Sequence, residues 1–254
     1  MGRLGAEVGV GRVTSTAPGS PAATLVVDPE HFEGTEVTIE GDAYRHLFRA
    51  RRLARGAQLR VVDGEGKARL AVVESIDRRT ARLVLGEPTA SNEPTYSLDL
   101  WVAALKPERA SWLVEKATEL GVSAIRFFNS ERTPRRYGNA NLDRWRRIAT
   151  SAVEQCHRAR VPELEGVVPW DAMVERLAGA EVDDLLVLDA SGQPASELPA
   201  PGGTGIVVVG PEGGFTREEI DALRAVGAQA MALGKRVLRV ETAAVVAVAR
   251  RVLG

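Results

Sequence analysis

From residue 98 onward the chain alternates continuous apolar runs with helical segments, and this alternation constrains the fold more than any other feature. The runs "LDLWVAAL", "VSAIRFF", "LLVLDA", "GIVVVG" and "AQAMALG" lack a polar face, as expected of strands covered on both sides. "PERASWLVEKATELG" has proline near its first turn and glycine past its end, the asymmetry of a helix. "NLDRWRRIATSAVEQCH" places Leu142, Trp145, Ile148, Ala152 and Cys156 on one helical face. Strand and helix in turn predict an α/β domain around a parallel sheet over residues 96–254.

The chain upstream reads differently. Residues 1–22 are rich in Gly, Ser, Thr, Ala and Pro without a period, and are expected to be a flexible extension. Over 23–88, the segments "TLVVD", "EVTIE", "QLRVVD", "ARLAVVESI" and "ARLVLG" are short, β-branched and broken by turns such as "DGEG". They predict a small barrel, interrupted by one helical piece, "DAYRHLFRARRL". "GEPTASNEPT", residues 86–95, reads as a linker.

Composition narrows the function. One cysteine, Cys156, leaves no internal disulfide and fits a reducing cytoplasm. His31, His46 and His157 are too scattered to suggest a metal site. No segment reads as a signal peptide, and "TAAVVAVA" is too short to span a bilayer, so a soluble cytoplasmic protein without a membrane partner is expected. The net charge of −1 argues against a molecule that coats nucleic acid. Arginine is nevertheless clustered. Residues 44–60 hold six arginines and no acid, and residues 126–160 hold nine against Glu131, Asp143 and Glu154. Guanidinium forks suit phosphate, although arginine outnumbers lysine throughout the chain and part of the clustering is bias.

The stretch "VVVGPEGGFTREEID", residues 207–221, takes an apolar strand through a glycine turn into a helix. Open α/β sheets bind ligands at such turns. Thr216 and Glu219 have capping-box spacing. The loop lacks the lysine of a phosphate-binding loop, and Glu212 would repel a phosphate. A ligand without phosphate, such as a positively charged nucleoside, fits better. Alone, "GPEGG" could also be no more than a tight turn.

Five segments in order, "EKATELGV", "SERT", "EQCHRARVPEL", "VVVGPEGGFTREEID" and "LGKRVLRVETA", resemble the ribosomal RNA small-subunit methyltransferase E family. The resemblance covers the chain from Thr24 on and includes "VVDGEG" in the barrel. It implies a trefoil-knotted SPOUT methyltransferase domain with a parallel sheet behind a small PUA-like β-barrel. It further implies methylation of N3 of a uridine in 16S rRNA, with S-adenosylmethionine as cofactor. The expected partners are 16S rRNA or the small ribosomal subunit and a second copy of the chain, with no metal. The terminal helix, apolar over more than one face, would be buried in that homodimer.

By position, the resemblance assigns the cofactor to three loops. These are "LDASG", with Leu188; "GPEGG", with Gly210, Pro211, Glu212, Gly213 and Gly214; and "LGKRVLRV", with Leu233, Gly234, Val237, Leu238 and Val240. Backbone recognition would explain the glycines. Glu212 could favour the positive end of the cofactor or brace the loop. Two positions depart from the family pattern: Lys235 replaces a proline, and Val240 a threonine. The N3 proton must leave, either to a base or with a cation stabilising the uridine anion. Arg239 and Glu241 are the first candidates, with Arg239 as anion stabiliser, and Glu154 is the next. Cys156 is expected to be packing. Arg45, Arg49, Arg51, Arg52, Arg132 and Arg158 are the expected RNA contacts. Two other readings compete: a nonenzymatic RNA-binding or assembly factor, and a nucleotide enzyme that cradles phosphate in "GPEGG".

Overall fold

The computed structural model describes residues 21–134 and 137–253. The proposed N-terminal extension lies outside the described residues except for its last two positions. Two sheets divide the chain.

The first sheet is built from β1 (Thr24–Val26), β2 (Glu36–Ile39), β3 (Gln58–Val62), β4 (Ala68–Ile76) and β5 (Ala81–Thr89), in the order β1-β3-β4-β5-β2. β1 runs parallel to β3, and the other pairs are antiparallel. β2 shows the period-2 burial of a strand with one wet face. A short helix, α1 (Pro29–Phe32), precedes β2. The predicted helical piece is α2 (Gly41–Tyr44), continued by a π-helical turn over Arg45–Ala50. Tyr44, Leu47 and Phe48 from this insertion are buried with Leu59, Val61 and Leu83. β5 runs on to Thr89, pairing Thr89 with Ala68, so the connector is shorter than its composition suggests.

The second sheet contains β6 (Ser97–Ala103), β7 (Ala124–Asn129), β8 (Glu163–Pro169), β9 (Asp184–Pro194), β10 (Thr204–Val209) and β11 (Gln229–Ala232). The order is β11-β9-β10-β6-β7-β8, and every pair is parallel. Helices α3 (Pro107–Leu120), α4 (Leu142–Cys156) and α7 (Val240–Val252) pack on Leu98, Leu100 and Val102 of β6 and their neighbours. Helices α5 (Trp170–Ala178) and α6 (Arg217–Ala225) cover the opposite face, represented by Trp101 and Ala103. Burial on both faces explains the unbroken apolar runs.

The barrel docks at the N-terminal end of the parallel strands. Val61 and Val62 of β3 lead into the "DGEG" turn, where Gly64 bridges to Arg160. Val161 N–H donates to the Gly64 carbonyl at 2.8 Å, and Gly66 N–H to the Ala159 carbonyl at 3.1 Å. Val62, Ala68, Val153 and Ala159 form a separate apolar seam there.

The same joint holds Arg158, one of the expected RNA contacts, and corrects that expectation. Arg158 is 4% exposed. Its guanidinium donates to both Glu93 carboxylate oxygens and to the Thr118 and Val122 carbonyls. Ala159 and Arg160 N–H groups also reach Glu93. All three guanidinium nitrogens thus donate inside the protein, and the buried group is not presented to RNA. Burial acts to raise the Glu93 carboxyl, but the Arg158 hydrogen bonds and charge, with the two backbone N–H groups, outweigh it and hold the carboxyl below the usual range.

Candidate functional site

The three cofactor loops expected from the sequence leave three adjacent strands at one end. β9 lies between β10 and β11, and all three are parallel, so the segments after them converge at the C-terminal end of the sheet. This is where open α/β sheets bind ligands.

The first segment is not a free loop. Val187 pairs with Ala230 and Gln193 with Met231, so residues 188–192 are looped out of a strand that then resumes. Gly192 closes this excursion beneath β11. A Cβ there would lie 2.6 Å from the Met231 nitrogen, so only glycine fits. Asp189 accepts from the Ser191 N–H and hydroxyl, and these bonds hold its carboxyl below the usual range. Leu188 and Leu233 are half-buried and pack on the core below, giving the cluster an apolar base.

The second loop follows β10. Gly210 lies under the Phe215 ring, where a Cβ would come within 2.8 Å. Pro211 is buried, and Gly214 has φ +69°, a conformation glycine takes without strain. Gly213 is also closely packed. Its open side faces Arg132, whose Cβ would be 3.3 Å from an added Cβ. Arg132 donates to the Gly213 carbonyl at 3.1 Å. Arg132 therefore has a bracing contact within the loop, beside its expected role toward RNA. Thr216 and Glu219 form the predicted capping box of α6. Glu219 also accepts from Glu131 N–H at 2.8 Å, which ties "SERT" to the same loop.

The third segment leads into α7. Val237 is fully exposed and Leu238 half-buried. Val240 is buried in the core, so its side chain is turned away from any ligand and only its backbone is available. Arg239 is the N-cap of α7 and is exposed. Its side chain makes no hydrogen bond or ion pair among the described residues.

Sequence reasoning missed Arg109. From the first turn of α3 its guanidinium pairs with Glu212, and its Nε lies 3.7 Å from Glu241 Oε1. Glu212 thus braces its loop against α3. A cation at a helix N-terminus opposes the helix dipole, and that misplacement was the available signal. One guanidinium serves two carboxylates. The Glu241 side chain is 10% exposed, and its Oε2 is buried without a hydrogen-bond partner. The cluster therefore keeps one uncommitted buried acceptor, Glu241 Oε2, placed to meet a cationic or donor group of a ligand.

Glu154 is not part of this cluster. α4 runs back from the C-terminal end of β7, so its last turn lies at the N-terminal end of the sheet, beside the barrel. Val26 N–H donates to Glu154 Oε1 at 3.2 Å. Strands of about six residues separate the two ends by about 20 Å, so within one chain Glu154 cannot act at the loops. Cys156 packs below Val153, and burial raises its thiol, which disfavours the nucleophilic thiolate.

Among the barrel arginines, Arg45 pairs with Asp42. Arg49 donates to the Arg78 carbonyl at 2.8 Å and lies over the Tyr44 ring. Arg51 and Arg52 are exposed, and their side chains make no hydrogen bond or ion pair among the described residues. Also among the described residues, no three His, Cys, Asp or Glu side chains gather as a metal would require, and no helix is long and apolar enough to cross a membrane.

Comparison with known proteins matches both halves. The RNA methyltransferase domain family matches residues 91–251, and the RNA methyltransferase PUA domain family residues 39–86. The chain is 34% identical over 236 residues to the ribosomal RNA small subunit methyltransferase E of Synechocystis sp., covering 90% of this chain and 77% of that protein. It is 35% identical over 240 residues to the enzyme of that name from Mycobacterium tuberculosis, covering 89% of each. The crystal structure of a ribosomal RNA small subunit methyltransferase E from Neisseria gonorrhoeae bound to S-adenosyl methionine superposes with a TM-score of 0.78 at 28% identity, over 89% of this chain and 94% of that one.

Proposed function

We infer what this chain does from the premise that it belongs to the ribosomal RNA small subunit methyltransferase E family. It is an S-adenosylmethionine-dependent rRNA methyltransferase, with a PUA-like N-terminal half and a parallel-sheet methyltransferase half. The finer reading is that it methylates N3 of one uridine in 16S rRNA, in the cytoplasm, as a knotted homodimer.

The observation that carries this reading is the buried Glu241 carboxylate beside the glycine loops, with one oxygen unpartnered. The buried, unpartnered Glu241 Oε2 and the shared Arg109 suit a cationic ligand without phosphate. Gly210, Pro211, Gly213, Gly214, Gly234 and Leu238 would hold S-adenosylmethionine through backbone, Leu188 and Leu233 would support its apolar parts, and Glu241 would face its positive end. When bound, it supplies a methyl group already activated on a sulfonium. The remaining task for the protein is to manage the N3 proton. Arg239, exposed at the N-cap of α7, would stabilise the uridine anion, because a fixed cation lowers the cost of charge developing at N3. Nothing in the geometry favours a phosphate cradle, since Glu212 and Arg109 already neutralise each other at "GPEGG".

The dimer reading rests on two features. α7 buries Val240, Ala244, Ala247 and Val248, yet Thr242, Val246 and Ala249 on another face stay partly open, followed by Leu253 at 68% exposure. Trp112 on the neighbouring α3 is 43% exposed. A second copy would cover this face. The barrel and the loops also lie at opposite ends of the sheet, so a second copy could bring a barrel to each loop cluster.

Nucleoside mass spectrometry of 16S rRNA from cells with and without the gene tests the activity. One 3-methyluridine should disappear on deletion, and an unchanged profile would refute the assignment. Light scattering of the purified chain at micromolar concentration should report a dimer.

A further inference from the structure

A cleft of about 450 Å³ lies away from the loop cluster, between the barrel's helical insertion and the last turns of α4. Thr24 and Leu25 of β1 line it, together with His46, Arg51, Glu154 and Gln155, and with Asp42, whose charge is already paired with Arg45. The Thr24 hydroxyl lies 2.7 Å from His157 Nδ1, closing one side. Glu154 gives one oxygen to the Val26 N–H. Among the described residues its other oxygen makes no hydrogen bond, and neither do the side chains of His46, Arg51 and Gln155. Uncommitted donors and acceptors thus line one concave space whose volume falls within the roughly 300–1,000 Å³ of small-ligand sites.

We propose that this cleft seats one unstacked nucleotide of the ribosomal RNA, its base edge against Glu154 and Gln155 and its phosphate against Arg51 and His46. A carboxyl and a carboxamide on consecutive residues offer the paired hydrogen bonds that read a base edge. Burial raises the Glu154 carboxyl, while His46 and Arg51 act to lower it. Its oxygen not bonded to Val26 is free to take part in that pairing. Arg51 presents a guanidinium fork to a phosphate. Because the cleft lies at the opposite end of the sheet from the loops of the same chain, this nucleotide is distinct from the one that chain methylates. The proposal rests on the RNA-methyltransferase reading for its ligand class.

The test uses the full chain, its E154Q, Q155A and R51A variants, and five probes: the four ribonucleoside 5′-monophosphates and inorganic phosphate. Binding is followed by NMR, S-adenosylmethionine affinity by calorimetry, and steady-state kinetics on small-subunit rRNA give KM and kcat. At least one monophosphate should bind and weaken about fivefold or more in each variant, and KM for rRNA should rise with kcat kept. Cofactor affinity should not change. E154Q retains an acceptor for Val26, and Gln155 and Arg51 are exposed, so all three variants should fold, which a thermal melt checks. Monophosphate binding that ignores the substitutions overturns the proposal. So does binding of inorganic phosphate alone, or a fall in kcat with KM kept. If the wild-type chain neither binds S-adenosylmethionine nor methylates rRNA but still binds a monophosphate through these residues, the enzymatic reading fails and the cleft remains a nucleotide site.

Discussion

The two ends of the parallel sheet are built by opposite means. At the C-terminal end, where the loops converge, the working parts are backbone and glycine: Gly192 beneath β11, Gly210 under Phe215, Gly214 in a left-handed turn. One carboxylate oxygen there, Glu241 Oε2, is buried and unmatched. At the N-terminal end, where the barrel docks, charge is matched closely. Arg158 and Glu93 are both largely buried, and the pair is completed by two carbonyls and two N–H groups. The Arg158–Glu93 pair commits its polar groups within the protein, whereas the loop cluster, like the cleft beside the joint, leaves some uncommitted for a ligand. Arginine content does not distinguish the two, because Arg109, Arg132 and Arg158 all bond to protein.

This contrast can be broken at either end, and the largest effect should come from Gly192. In Gly192→Val a side chain would be forced into the β11 backbone, and no flexible neighbour can yield. The expected result is loss of soluble folded protein, checked by expression and circular dichroism; a folded variant with a wild-type melting temperature would show that β11 does not lie there.

The next effect belongs to the joint. Glu93→Ala leaves Arg158 buried and unpaired, which should cost about 3–5 kcal/mol, measured by urea unfolding. The sign of the pH dependence follows from the lowered Glu93 carboxyl. Its contribution is complete above the ordinary carboxylate range and disappears as pH falls through the lowered folded value. The wild-type chain should therefore lose stability on acidification below about pH 4.5, and Glu93→Gln should show a flatter profile over the same window.

At the loop end, Arg239→Ala should leave stability and RNA affinity nearly unchanged while kcat falls about 100-fold, the usual cost of losing one group that stabilises developing charge. Normal turnover would remove Arg239 from the chemistry and direct attention to Glu241. The smallest effect should come from Gly214→Ala. Nothing lies within 4 Å of its added Cβ, so only the left-handed backbone resists, at about 1–2 kcal/mol. The melting temperature should fall by a few degrees, roughly 2–4 °C per kcal/mol for a chain of this size.

The α/β half was legible because strands buried on both faces have no polar alternation, and five of its six strands announce themselves as apolar runs. The exception, β8, lies at the edge of the sheet and ends in Pro169, so its "ELEGVVP" reads as loop. The π-helical turn at Arg45–Ala50 carries the apolar spacing of an ordinary helix. The glycine loops and the α6 capping box could be read locally. What could not be read is pairing across sequence distance. Glu93 lies in what looks like linker and meets Arg158 without any periodic signal. Glu154 shares a motif with Arg158, and only the direction of α4 shows that it lies at the far end from the cofactor loops. Arg109 was visible as a cation on the wrong end of a helix, but its two acid partners were not.

Glu93 has one more consequence. A carboxylate anchored from within the connector leaves that connector no slack, so the barrel and the sheet are held like the jaws of a caliper whose screw has been tightened. The span between the barrel and the glycine loops is set in part by this one ion pair.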